Sequence, residues 1–236
     1  MHRVEHVMGM PIVVEVRDGE VPGAVFDWFR HVDETFSTYR DDSEVSRIRR
    51  GELALADASD DVRTVYARCA ELCEETSGFF DVDAVGGDPS GYVKGWAVER
   101  AAEMLPGESA INAGGDIRTK GTWRVGVQHP FERQAVAKVV EATDLAVATS
   151  GAYERGEHVL DPHSGSAPTG ILSVTVTGPD LGTADAYATA AFAMGGHRAG
   201  NWTARLPGYE AMTILADGRV LLTPGFPQAP PEPPAA

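Results

Sequence analysis

Asp185 and Thr189 stand four residues apart in the segment GTADAYATA. On a helix that spacing turns both oxygens to one side. Hard cations take oxygen ligands, and Mg²⁺ keeps waters and adds phosphate oxygens from a substrate. The pair therefore points to phosphate chemistry on a cofactor. The plainer reading is a capped helix. Thr183 would accept from an exposed backbone N–H, Asp185 would occupy the first turn, and Ala184, Ala188, Ala191 and Phe192 would pack inside.

Four further segments carry polar groups that such a site would need. In YVKGWAVE, Lys94 lies where the chain enters a helix, a place from which it can balance phosphate charge or snorkel to solvent. Gly95 beside it admits a close approach of chain or ligand. In NAGGDIRTKG, Gly114 and Gly115 make a tight turn whose N–H groups can cradle phosphate or hold a flat ring system. Asp116 follows, and Asn112 can brace the turn through its backbone. In ATSGAYERGEHVLDPHSG, Ser150 and Gly151 close one strand and HVLDP lies on the next, so a hairpin can bring His158 to Ser150. His158 can exchange a proton near neutral pH. Asp161-Pro162 sets the following turn, with His163 expected in solvent. Ser, His and Asp invite a hydrolase reading, but no GxSxG elbow is present. In FSTYRDDSEVSRI, Ser37, Tyr39, Arg40, Asp42, Ser43 and Glu44 form a polar patch. Ser43 can cap a helix, or the patch can line a cofactor pocket with Tyr39 stacking.

The elements that must position these groups follow from periodicity. Met10 to Val16 reads as the first strand. Pro22-Gly23 leads into the helix AVFDWFRHVDETFSTY, with Val25, Phe29, Val32 and Phe36 at helical spacing. A second helix covers roughly Ser59 to Glu75, with Asp60 and Asp61 near its start. Ser77 to Gly91 is a glycine-rich loop. It feeds the helix YVKGWAVERAAEML, whose Trp96, Ala97, Ala101, Met104 and Leu105 mark a buried face, stopped by Pro106-Gly107. SAINAGGDIRTKG is a hairpin. WRVGVQHP, AVAKVVEA, LAVATSG, EHVLDP and ILSVTVTG follow as strands. A last helix begins near Thr183, and AMTILADGRVLLT closes as a hairpin over Asp217-Gly218. Helices first and strands later argue for an α+β fold with a mostly antiparallel sheet. There is no GxGxxG after a strand and no internal repeat, which removes a Rossmann reading.

With 236 residues, 43% of them hydrophobic, the chain can bury one sizeable core. We expect a single domain over residues 1–223 and a Pro/Ala-rich disordered tail over 224–236. Thirty-five acidic residues against 20 basic give a net charge of −15. That is no footprint for a duplex nucleic acid. Cys69 and Cys73 share a helix face at a spacing poor for a disulfide, and two thiols make an incomplete zinc site. They read as packed free thiols, which leans toward a reducing compartment. MHRVEHVMGMPIVVEV is broken by Glu5 and His6 and is not a signal peptide. No apolar run reaches the length of a membrane span.

Taken in order, MGM, FSTYRDDSEVSRI, FFDVDA, VKGWAVERA, INAGGDI, SGAYERG, HVLDPHSG and TADAYATAAFAMG resemble the ApbE family of FAD:protein FMN transferases, from about Val7 to Thr223. Members split FAD and attach its FMN portion, through phosphate, to a threonine or serine of a target flavoprotein. AMP leaves and Mg²⁺ is required. The resemblance makes Asp185 and Thr189 metal ligands, with the backbone carbonyl of Val93 completing their set. It places Asn112, Gly114, Gly115 and Asp116 in a flavin-contacting turn and Ser150 and Gly151 against FAD. His158 becomes the base for phosphoryl transfer. Met8, Met10, Ser37, Tyr39 and Lys94 are the remaining cofactor-side candidates. The chain departs from the family at Met10, where MGT is usual, and in the compact stretch after FFDVDA. It also lacks a lipoprotein-type signal, so a cytoplasmic form is expected, with an exported form trimmed of its signal as the alternative. Two other activities suit the same residues, an FAD pyrophosphatase yielding FMN and AMP and a non-catalytic FAD-binding protein.

Overall fold

The computed structural model describes residues 1–132, 135–151 and 159–230, and among these described residues ten strands and six α-helices build one α+β domain. The strands are β1 (His2–Val7), β2 (Met10–Val16), β3 (Ser109–Ala113), β4 (Asp116–Lys120), β5 (Thr122–Gln128), β6 (Val136–Thr143), β7 (Ala146–Gly151), β8 (Ile171–Gly178), β9 (Glu210–Leu215) and β10 (Val220–Leu222). The helices are α1 (Gly23–Phe36), α2 (Glu44–Arg49), α3 (Asp60–Glu75), α4 (Ser90–Glu103), α5 (Leu181–Met194) and α6 (Ala199–Thr203). Eight strands form one sheet in the order β1-β2-β3-β4-β7-β8-β9-β10, and every pairing is antiparallel. The β5–β6 ribbon stands apart as a second, two-stranded sheet.

Side chains that alternate along a strand reach two separate cores. Ala146, Ala148, Val174 and Val176 face the main core with Ile12, Val14, Phe26, Phe29 and the apolar residues of α4 and α5. Val147, Met212 and Ile214 face the other way, beneath Val125, Val127, Val140 and Ala142 of the ribbon. Phe226, 4% exposed, belongs to that second core. The chain is therefore packed beyond Pro224, where the tail was expected to begin. Residues 231–236 lie outside the described set.

Several expected boundaries shift for local reasons. β1, absent from the sequence reading, pairs with β2 through a two-residue turn in which Met8 and Gly9 both take positive φ, 55° and 72°. A mostly exposed strand offers no buried alternation to detect. α4 starts at Ser90, so Lys94 sits one turn inside the helix and not at its entry. Met104 falls beyond its last turn and is exposed. α5 starts at Leu181. Its cap is Asp180, which accepts from the Thr183 N–H at 2.7 Å, so Thr183 is not the cap and Asp185 is past the first turn. α5 is buried almost all round, as a helix in the middle of a domain should be. In EHVLDP, Glu157 and His158 lie outside the described residues, and Asp161 makes an isolated bridge with Ser166 in place of a strand. Cys69 is buried, Cys73 is half-buried and both are free thiols. No described helix is long and apolar enough to cross a membrane.

Candidate functional site

α4 and α5 meet at two glycines. A Cβ on Gly95 would lie 2.6 Å from the Gly182 Cα and from the Leu181 carbonyl oxygen. A Cβ on Gly182 would lie 2.6 Å from the Tyr92 ring. Hydrogen in place of a methyl on each side lets the helices touch by backbone. The contact brings Lys94 of α4 beside Asp185 of α5, with Nζ 3.6 Å from Oδ2. The same ammonium is 2.6 Å from Oδ2 of Asp116. Glu99, one turn along α4, accepts from the Leu181 N–H at 2.7 Å and holds Arg118 of β4 at 2.8 Å. Burial pushes the Glu99 carboxyl above its ordinary value, against the pull of Arg118 and the Leu181 N–H. α4 is thus tied to β4 and to α5 by one cation and one anion on either side of the glycine contact.

These ties open onto a cavity of about 950 Å³. Lys94, Val93, Asp185, Thr189, Thr149 and Ser150 supply its polar wall. Ser150 and Thr189 share a hydroxyl–hydroxyl hydrogen bond at 3.2 Å, which joins β7 to α5. Met8, Met10, Val32, Phe36, Phe79, Phe80 and Val82 supply apolar surface, and Ser37, Tyr39 and Arg40 border it. Tyr39 is 96% exposed. With half-exposed Val85 and Leu160, it places large apolar groups in the lining that also meet solvent. A volume near the top of the range for small-molecule and cofactor pockets, with an apolar lining and a polar wall, is the form of a ligand site.

The structure gathers Met8, Met10, Ser37, Tyr39, Val93, Lys94, Ser150, Asp185 and Thr189 around this one space. The glycine turn sits differently. Asn112 braces it as expected, its Oδ1 accepting from the Gly115 N–H at 3.0 Å. Gly114 and Gly115 are exposed, and Gly114 abuts the Met10 sulfur, which a Cβ there would approach to 3.1 Å. None of the three lines the cavity, and Gly151 is buried outside it. Asp116 is wholly buried, accepting from the Thr149 N–H at 3.1 Å while it pairs Lys94. It is the counter-ion of the cavity lysine. His158 lies outside the described residues. Ser43 caps α2, accepting from the Ser46 N–H at 3.0 Å. Phe79, Phe80 and Thr149 escaped the sequence reading as site residues. The FFD step directly after a glycine turn was the signal for the first two.

A second cavity, about 380 Å³, lies between α6 and the β9–β10 hairpin. His197 and Arg219 join hydroxyls and aliphatic side chains there, with no carboxylate in the lining. It lacks the donor set of the larger space.

A sequence model of the ApbE family matches residues 8–86 and 83–213. The chain belongs to the ApbE family. Within it, the chain is 28% identical to the FAD:protein FMN transferase of Rhodobacter capsulatus over 224 residues, which cover 88% of this chain and 40% of that protein. It is 36% identical to the FAD:protein FMN transferase of Treponema pallidum over 126 residues, 48% of this chain and 35% of that one. The chain thus spans well under half the length of the curated relatives it matches. Among solved structures, the ApbE protein of Thermotoga maritima superposes with a TM-score of 0.85 at 22% identity, covering 96% of this chain and 97% of that one. The flavin transferase ApbE of Vibrio cholerae superposes at 0.83, again at 22% identity and with the same coverage. The ApbE fold therefore extends over nearly the whole chain.

Proposed function

We propose that this chain transfers FMN from FAD to a threonine or serine hydroxyl of a target flavoprotein, in a Mg²⁺-dependent reaction that releases AMP. The observation that carries this reading is the convergence of Lys94, Asp185, Thr189 and Ser150 on one wall of a nucleotide-sized cavity. The FAD:protein FMN transferases among its relatives supply the reaction class.

The donor set fits a hard cation. Asp185 offers a carboxylate, Thr189 a hydroxyl and Val93 a backbone carbonyl. Among the described residues, no group of three His, Cys, Asp or Glu side chains is placed to hold a metal alone. So sparse an all-oxygen set suits Mg²⁺, which completes its shell with water and diphosphate oxygens. When bound, the ion would neutralise charge on the diphosphate. Lys94 brings a second positive charge to the same wall, held in place by Asp116. Ser150 orients Thr189 through their shared hydrogen bond. The aromatic and methionine lining would anchor the isoalloxazine, which fixes the FMN-side phosphorus for attack.

In the transfer, the acceptor oxygen forms a bond to that phosphorus. The bond from phosphorus to the bridging oxygen breaks, AMP leaves with that oxygen, and the hydroxyl proton passes to a base. We assign that role to His158 on the family resemblance. Exposed Tyr39, Val85 and Leu160 in the cavity lining are suited to the approach of a macromolecular hydroxyl. Intact-mass measurement after incubation with FAD, Mg²⁺ and a candidate flavoprotein tests the reading. An acceptor heavier by FMN is the expected result. Free FMN and AMP alone would make the protein a pyrophosphatase, and intact FAD after long incubation would make it a carrier.

A further inference from the structure

We propose that His163 is a positioning residue that fixes the separation of two cavity walls. This inference rests on reading the cavity as a flavin-nucleotide site. One wall is the loop after α3, with Phe79, Phe80 and Val85. The other is Val159, Leu160 and Pro162. α3 ends in a Schellman cap, in which the Gly78 N–H donates to the Cys73 carbonyl at 2.7 Å and the Ser77 N–H to Glu74 at 3.1 Å. Ser77 and Gly78 both take positive φ, 55° and 82°. For serine that is an uncommon conformation, which marks the turn as held by its surroundings.

His163, exposed to solvent as its sequence position suggests, packs its ring against this turn. Its Nε2 lies 3.0 Å from the Ser77 carbonyl oxygen. A carbonyl only accepts, so Nε2 carries the proton and donates. The ring stands edge-on to Phe79 at 4.6 Å between centroids. A Cβ on Gly78 would come within 3.1 Å of the His163 Cε1. The turn bearing His163 is braced from within. Asp161 Oδ1 accepts from the His163 N–H at 2.9 Å, Asp161 Oδ2 from the Ser164 hydroxyl at 3.0 Å, and the Asp161 carbonyl from the Gly165 N–H at 2.8 Å. A hydrogen-bonded turn on one wall is thus keyed by one imidazole into the helix cap on the other. The imidazole sits beside the cavity without lining it, so it acts through the walls.

The test compares H163A, H163Q and G78A with the wild-type chain. Hydrogen exchange read by mass spectrometry, without ligand, should accelerate about tenfold in H163A and G78A at both 79–85 and 159–166. H163Q, whose amide can donate to Ser77, should retain most of the protection. FAD affinity, read by flavin fluorescence, should fall about tenfold in H163A and recover in H163Q. Faster exchange confined to 159–166 would overturn the inference. So would H163A or G78A binding FAD as tightly as the wild type, or H163Q behaving as H163A. If the wild type binds no FAD, the flavin reading falls, and the exchange measurement alone decides the role of His163.

Discussion

Lys94 reaches two buried carboxylates at unequal distance, and the consequences of removing each partner differ. Asp116 is wholly buried with the ammonium at 2.6 Å. Replacing Lys94 by methionine leaves that charge without its cation, a change expected to cost about 3–5 kcal/mol. Urea denaturation of K94M should show it, and the double variant K94M/D116N should regain part of the loss. Asp185 is farther from the ammonium and lines the cavity. D185N should keep the fold to within about 2 kcal/mol and abolish Mg²⁺-dependent FAD cleavage. Unchanged cleavage at limiting Mg²⁺ would take Asp185 out of the metal set. H158A should slow transfer by roughly 10² to 10⁴ with little change in FAD binding; a parallel loss of binding would make His158 a recognition residue. The spacing of Asp185 and Thr189 was legible because helical periodicity alone puts them on one side. The role of Asp116 was not, since nothing in GGD shows that its carboxylate turns inward to a lysine on another element.

At the level of elements, the site depends on how closely α4 and α5 approach. G95A places a methyl 2.6 Å from backbone atoms of α5 that have no rotamer to yield. The strain should cost about 2 kcal/mol or more, lowering Tm by roughly 4 °C or more, and it should weaken Mg²⁺ binding by separating the Val93 carbonyl on α4 from Asp185 and Thr189 on α5. Full stability in G95A would show that the helices slide freely. Glu99 pins the same junction and gives it a pH signature. Its carboxyl titrates higher in the folded chain than in the unfolded one, so the folded state holds the proton longer. The stability this contributes is fully present below the ordinary glutamate value and is lost as pH rises through the raised one. E99Q cannot lose that proton. The denaturation midpoint of E99Q should therefore rise relative to wild type across this window, and a parallel pair of curves would dismiss the burial effect. The sequence revealed both helices but not their start points. α5 begins two residues before Thr183 because Asp180 caps it, accepting from the Thr183 N–H; reading Thr183 as the cap takes the donor for the acceptor.

For the molecule as a whole, the run of short strands after the long helices announces a mostly antiparallel α+β domain, which the structure has. What periodicity cannot tell is which strands share a sheet. β5 and β6 alternate as any half-buried hairpin does, yet they leave the main sheet and cover its outer face. The end of the domain was obscured for a related reason. Proline and alanine dominate after Pro224, but Phe226 has partners on β5, β6, β7 and β9 that composition does not show. Local bonds hold it there. Its N–H donates to the Thr223 carbonyl at 3.1 Å, and the Gly225 N–H to Glu210 at 3.1 Å. The Ala229 N–H then reaches the Val139 carbonyl at 3.3 Å. The outer core is small, so one aromatic ring is a large part of it. F226A should cost about 3 kcal/mol or more, a fall in Tm of roughly 6–12 °C, measured by calorimetry. Because the ribbon core lies across the sheet from the cavity, FAD affinity below the transition should stay near that of the wild type. A variant with unaltered Tm would return Phe226 to the tail, and one that lost FAD binding while still folded would show that the outer face of the sheet sets the geometry of the inner one.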